Sequence, residues 1–238
     1  MAEYDDTSRT SRRAVLLAAG SAGAAALTAA CTGPAGVRGS AGQASAAAPA
    51  AAQPSGGSAA PGCVLTAEAG EGPYYLDLDK VRSDVTEGRK GVPFRLDLTL
   101  VRMSAGCRPL ADAAVDIWQA DSSGTYSTGK ATFLRGTQIT DATGRAVFRT
   151  IVPGWYAGLA PHIHFKVRPD AGAGTTSQFF FPEDLLLKAY ALAPYDRRRA
   201  PKHPNERDDR YRASGAAMTL KPLADGSGYR AAYTVGIA

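Results

Sequence analysis

"FRLDLTLVR", residues 94–102, decides the reading of the fold. Phe94, Leu96, Leu98 and Leu100 recur at every second place among mostly polar neighbours. Successive side chains of a strand point to opposite faces, so this spacing predicts a strand with one face in a core. The same period of two returns in "AVDIWQA" (114–120), "GRAVFRTI" (144–151), "HIHFKVR" (162–168), "SQFFF" (177–181) and "YRAAYTVG" (229–236). Turn-rich connections such as "DATG" (141–144) separate several of them. Short strands punctuated by Gly and Pro predict a mostly β domain over residues 63–238, an antiparallel β-sandwich. One accessory helix is expected at "PEDLLLKAYAL" (182–192). Pro182 suits its start, Glu183 and Asp184 suit its first turn, and Pro194 stops it.

Ahead of this domain the composition changes. Residues 1–31 run from a polar start through Ser11, Arg12 and Arg13 into "AVLLAAGSAGAAALTAA" and reach Cys31. This reads as an export signal and resembles a twin-arginine leader. The apolar run is short for a membrane span and is dominated by Ala and Gly, so permanent insertion is the weaker reading. "LTAAC" resembles a lipoprotein cleavage box with its Leu one place further back than that pattern prefers, which leaves lipidation of Cys31 open. Residues 32–62 are almost entirely Ala, Gly, Ser and Pro and read as a flexible linker, since nothing there offsets the entropy of ordering. The expected location is secreted or anchored to the outer face of the cell membrane, with the membrane touched only through a lipid on Cys31.

Of the three cysteines, Cys63 and Cys107 remain as an even pair in an oxidising setting. A disulfide between them is expected, with two unpaired buried thiols as the alternative. The net charge of +5 does not point to nucleic acid. Much of the excess lies in the leader and in "YDRRRAPKHPNERDDRYR" (195–212), where acids alternate with bases and form no basic face. A weakly basic surface suits anionic aromatic substrates. No Walker loop, dinucleotide-binding glycine pattern or G-x-S-x-G elbow occurs.

The chain has only three His, and two of them sit together in "HIHFKV" (162–167). Alternation puts Ile163, Phe165 and Val167 on one face and His162 and His164 on the other, about 7 Å apart along the strand. Such a pair can share one ion, although H-x-H alone is a weak signal and hydrogen-bonded strand residues are the plainer alternative. His203, in a charged loop beside Pro204, reads as a surface residue.

The pair has company in "EGPYY" (71–75), "DIWQADSSGTYS" (116–127), "FLRGTQITDATGRAVF" (133–148) and "PGWY" (153–156). Four separated motifs in this order resemble the intradiol ring-cleavage dioxygenases, the family of catechol and protocatechuate dioxygenases, in their exported single-domain branch. The resemblance runs from about Cys63 to the C-terminus. It implies non-haem Fe(III) held by Tyr126, Tyr156, His162 and His164, a catechol-type substrate, O2 as co-substrate, and a cis,cis-muconate-type product. By the same resemblance Tyr156 is the phenolate that leaves and acts as a base, and Gln178 is a further catalytic position. Tyr74, Tyr75, Trp155 and Leu159 are candidates for the substrate pocket, with core packing as the rival reading for the aromatics. Phenolates suit Fe(III) because a phenol near pKa 10 gives up its proton to a strong Lewis acid and matches that ion's charge and hardness.

One position departs from the family pattern. An arginine three residues before the first His is Leu159 here, and no residue in the sequence is placed to replace it, with Arg135 and Arg168 as candidates. A β-sandwich that binds iron or aromatics with little or no turnover is therefore the alternative function. A zinc hydrolase built on the His pair lacks an H-E-x-x-H pattern. Which catechol is cleaved, and whether a homodimer forms, stay open.

Overall fold

The computed structural model describes residues 63–78, 80–156, 158–170, 173–198 and 203–238. The export signal at 1–31, the linker at 32–62 and Cys31 lie outside the described residues.

Two sheets face each other. In the first, β1 (Pro93–Arg102) pairs antiparallel with the two-residue β2 (Arg108–Pro109) and with β5 (Arg145–Ile151). On its other side β1 runs parallel to β9 (Gly228–Ile237), which pairs with β8 (Leu223–Asp225). In the second sheet the order is β4 (Arg135–Ile139), β3 (Ala114–Gln119), β6 (His162–Arg168), β7 (Thr175–Phe180), all antiparallel. The expected sandwich is present, and the parallel β1·β9 pair is a feature that periodicity did not show. Parallel neighbours need a long crossover, and here the chain visits the whole second sheet between them.

The period of two works as anticipated in β1. Phe94, Leu96, Leu98 and Leu100 are buried, while Arg95, Asp97 and Thr99 face outward. Against them pack Val115 and Ile117 of β3, Phe148 of β5, Ile163, Phe165 and Val167 of β6, and Phe179 of β7. Phe165 and Phe179 stack with ring centroids 4.4 Å apart. Each such side chain removed from water contributes about 1.5–3 kcal/mol.

The open edges are covered by irregular chain, which keeps them from pairing with other molecules. Thr66 donates its amide to Gly236 and Ala69 donates to Thr176, so residues 66–69 stitch β9 to β7. Arg82 donates to Thr137 and Arg149 donates to Ser83, which stitches β4 to β5. Cys63 and Cys107 are joined as a disulfide with their Cα atoms 6.0 Å apart, tying the first described residue to the turn after β1. Helix α1 (Glu183–Tyr190) lies within the expected 182–192, with Leu185, Leu186, Ala189 and Tyr190 buried. A π-helical turn, Tyr211–Gly215, then leads into the short α2 (Ala216–Met218).

Phe148 of β5 is fully buried, opposite Leu96 of β1. Phe148→Ala should destabilise the domain by about 3–5 kcal/mol, read as a lowered denaturant midpoint in chemical unfolding.

Candidate functional site

The inner face of the second sheet is core, so its outer face is where polar side chains can gather. Register makes them a row. Arg135 of β4 lies opposite Trp118 of β3, Trp118 opposite His164 of β6, and His164 opposite Gln178 of β7. All four are almost completely buried, because other segments cover this face. Gly72 crosses over His164, where an added Cβ would stand 3.5 Å from the imidazole Cε1.

His162 stands one step along β6 on the same face. Its Nδ1 is 2.6 Å from the Ala160 carbonyl, which can only accept, so Nδ1 carries the proton and Nε2 presents a lone pair. The two Nε2 atoms are 2.9 Å apart with the rings perpendicular, at 88°. The indole of Trp118 lies flat on His164, at 4.8 Å between centroids, and holds its plane.

Two phenols close on the imidazoles. The Tyr126 hydroxyl is 3.4 Å from His162 Nε2. Tyr156 meets Tyr126 edge to face at 5.6 Å and lies 6.2 Å from the His162 ring. Tyr74 stacks on Tyr126 at 4.4 Å.

The spacing D-x-W-x-x-D-x-x-G-x-Y acquires a physical meaning here. Asp116 accepts hydrogen bonds from Tyr75, Thr137 and Arg168, at 2.9, 2.6 and 2.9 Å. Trp118 carries His164. Asp121 accepts from the amides of Ser123 and Thr125, at 2.9 and 3.0 Å, forming the turn that delivers Tyr126. Gly124 inside that turn has φ +80°, and a Cβ there would sit 2.1 Å from the Trp155 carbonyl oxygen, so no other residue fits. Arg135 then holds the backbone on both sides of the site, donating to the carbonyls of Ser127 and Tyr74 and, at 2.6 Å, to the Ser127 hydroxyl.

Burial governs the electrostatics. It pulls His162 down to about 4 and His164 well below the usual imidazole range, with His162 adding to the effect on His164. It pushes the Tyr126 phenol well above its ordinary value, and the neighbouring Tyr156 adds to this. Burial also raises Tyr156, against a lowering influence of Arg210. Both imidazoles are neutral donors, and both phenols keep their protons unless a cation takes them.

This donor set fits a metal ion. Two nitrogens each about 2.1 Å from one ion and at a right angle stand about 3 Å apart, matching the distance between the two Nε2 atoms. With His162 Nε2 bare, either tautomer of His164 leaves one nitrogen uncompensated: Nδ1 finds no partner, or two lone pairs face each other. Among the described residues no three of His, Cys, Asp and Glu gather, so any further donors here are the phenols. Both amide atoms of the fully buried Gln178 are also without a hydrogen-bond partner.

The other expected residues are dispersed. Tyr75 is held at the back by Asp116 and packs on Trp118. Trp155 turns its ring to Tyr190, at 4.5 Å, on the side of the main core. Leu159 is half-buried in the turn before β6. His203 bonds the Arg207 carbonyl, apart from the four donors. Two residues were missed by reading the sequence. Asp208, 1% exposed, accepts the Ala160 amide at 2.8 Å, and the charge of Arg210 bears on the Tyr156 phenol and on both imidazoles. Both lie in the stretch of alternating charges at 195–212, where no local pattern sets them apart.

A family model described as Dioxygenase matches residues 70–161, from the approach to "EGPYY" to the residue before His162. The intradiol ring-cleavage dioxygenase of Tetranychus urticae is 30% identical, with a TM-score of 0.70, over 74% of this chain and 94% of that one. The dioxygenase domain of a carbohydrate-binding fusion from Streptomyces sp. SirexAA-E is 28% identical, with a TM-score of 0.59, over 74% and 100%. Among curated relatives, the protocatechuate 3,4-dioxygenase beta chain of Burkholderia cepacia is 33% identical over 47% of this chain and 56% of its own length. The chain thus spans about half the length of the curated relatives it matches.

The buried imidazoles make stability depend on pH. An unfolded His titrates near 6.5, whereas folded His162 titrates at about 4, so below 6.5 the unfolded chain binds the extra proton. The stabilising contribution is present above 6.5 and is lost as pH falls toward 4. The Tm of the metal-free protein should drop across that window, and His162→Gln should flatten the drop in a thermal unfolding series.

Proposed function

The chain belongs to the intradiol ring-cleavage dioxygenase family, and we propose that it is an exported, non-haem Fe(III) enzyme acting on catechol-type aromatics. It inserts both atoms of O2, cleaving the ring between the two hydroxyl-bearing carbons to a cis,cis-muconate-type product. What carries this reading is the convergence of two phenols, Tyr126 and Tyr156, on two neutral imidazoles, His162 and His164. Export is supported by the twin-arginine-like leader and by the Cys63–Cys107 disulfide, a bond suited to an oxidising compartment.

Tyr126, Tyr156, His162 and His164 would hold the ion. When bound, Fe(III) supplies Lewis acidity and an orienting template for a catecholate. The residues do the rest. The Ala160 carbonyl fixes the His162 tautomer, and the Trp118 indole fixes the His164 plane. Tyr126, the more buried phenol, stays in place under the Tyr74 ring. Tyr156 is only half-buried, so its oxygen is the one free to swing aside and take a proton from a catechol hydroxyl. The unpartnered Gln178 amide, beside His164, is left to hydrogen-bond what enters. The aromatic rings around the donors exclude water from the reacting centre.

Loaded with Fe(III), the protein should absorb visible light through phenolate-to-iron charge transfer and convert a panel of catechol, protocatechuate and hydroxyquinol to ring-opened product. His162→Ala should lower iron affinity by more than about tenfold, since even the outer partners of metal ligands count for that much. A colourless iron-loaded protein, or iron retention indifferent to His162→Ala and Tyr126→Phe, would sink the reading. A coloured protein inert toward every catechol would leave an iron- and aromatic-binding module, the outcome that Leu159 favours.

A further inference from the structure

The two phenols reach the site on separate segments, and those segments meet backbone to backbone. Tyr126 follows the Asp121 turn, and Tyr156 follows the run that leaves β5 at Ile151. Gly154 donates its amide to the Asp121 carbonyl at 3.1 Å, and a Cβ on Gly154 would stand 2.4 Å from that same oxygen. Gly124 faces the Trp155 carbonyl in the same way. Two residues without side chains thus bring the two runs into contact, which sets the separation from which Tyr126 and Tyr156 start.

Helix α1 and the 3-10 turn after it, Tyr195–Arg197, grip the second run. The Tyr195 hydroxyl donates to the Val152 carbonyl at 2.5 Å, and the Tyr190 hydroxyl donates to the Pro153 carbonyl at 2.9 Å. The Tyr190 ring meets the Trp155 indole at 4.5 Å. Arg198 lies over the same indole, with its Cζ 4.2 Å from the ring centroid, and its Nη1 donates to the Ser122 carbonyl at 3.4 Å. One guanidinium therefore touches both phenol-bearing segments. Its backbone is fixed as well, since the Arg198 amide donates to the Tyr195 carbonyl at 3.0 Å.

We propose that Arg198, with Tyr190 against the same indole, is a positioning residue of this site: the two hold the backbone ahead of Tyr156 against the turn that carries Tyr126. This rests on the dioxygenase reading above. A guanidinium suits the task because its flat face stacks on an indole while its edge still presents N–H groups to a carbonyl. Tyr156 is the phenol that swings aside when a catechol enters, and it must return to the same place. That calls for a mobile side chain on a stationary backbone, because a misplacement of about 1 Å at a reacting group costs up to about a hundredfold in rate. Helix α1, an accessory to the sandwich, thereby acquires a task at the site.

The test uses the full chain loaded with Fe(III), comparing wild type, Arg198→Met, Tyr190→Phe and, as a control for lost charge, Arg197→Met, whose side chain is exposed. Thermal midpoint, iron content, the visible band, kcat and KM are read for each. Arg198→Met should keep its iron and a thermal midpoint close to wild type, shift or broaden the band, and lose about tenfold in kcat with KM changed less. Tyr190→Phe should change band and kcat in the same direction, and Arg197→Met should match the wild type. A wild-type band and kcat in Arg198→Met would overturn the proposal, as would equal losses in Arg197→Met. Should Arg198→Met disturb folding or iron content, Tyr190→Phe, which removes a single hydroxyl, decides, and wild-type values of both band and kcat there would overturn it. A wild-type protein that is colourless or inert would overturn the dioxygenase reading and this inference together, whereas a coloured, active wild type with an indifferent Arg198→Met would remove the brace alone.

Discussion

Two neutral imidazoles buried with their Nε2 atoms 2.9 Å apart are the arrangement on which the rest of the site depends. Burying polar groups costs free energy unless they are satisfied, and here the local structure satisfies only part of the need. The Ala160 carbonyl takes the His162 Nδ1 proton, and Trp118 covers one face of His164. The remaining nitrogen lone pairs point to where the Tyr126 and Tyr156 hydroxyls also gather. Such a pair is tolerated because the sheet beneath it is rigid: Ile163, Phe165 and Val167, alternating with the two His, are fully buried in the main core.

Every element around the pair answers the problem of covering the outer face of a sheet while bringing oxygen donors to it. The turn after β3 does so through Asp121 and Gly124, one by capturing two amides and the other by allowing the chain to pass against Trp155. Arg135 ties that turn to the Tyr74 segment. On the opposite side Asp208 ties the C-terminal stretch to Ala160. Buried charged groups persist in such places when their hydrogen bonds are complete, and the Asp116, Asp121 and Asp208 carboxylates each have several donors.

Much of this was legible from the chain itself. The period of two in residues 94–102 and 162–168 located β1 and β6, and the H-x-H spacing put both imidazoles on one face. β4 was not recognised as a strand. "RGTQI" carries one large aliphatic residue, and that one, Ile139, is exposed. Its buried face is made of Arg135 and Thr137, which bond to neighbouring segments instead of packing as apolar core. Gly136 is small because a Cβ there would meet Val85 at 2.7 Å, a contact between residues 51 apart in the chain. The parallel β1·β9 pairing was equally invisible, since it joins the two ends of the domain.

Alternation and turn chemistry are local, so the sequence by itself determined the sandwich and the faces of its strands, while the family resemblance singled out Tyr126, Tyr156, His162 and His164 as candidate donors. Which of the remaining charged side chains serve the site was decided by tertiary structure. Asp208 and Arg210 look like their neighbours in an alternating run of acids and bases. They differ only because the segment folds back so that a single carboxylate meets an amide 48 residues away. Contacts across such separations arise from closure of the whole chain, and no window of sequence contains both partners.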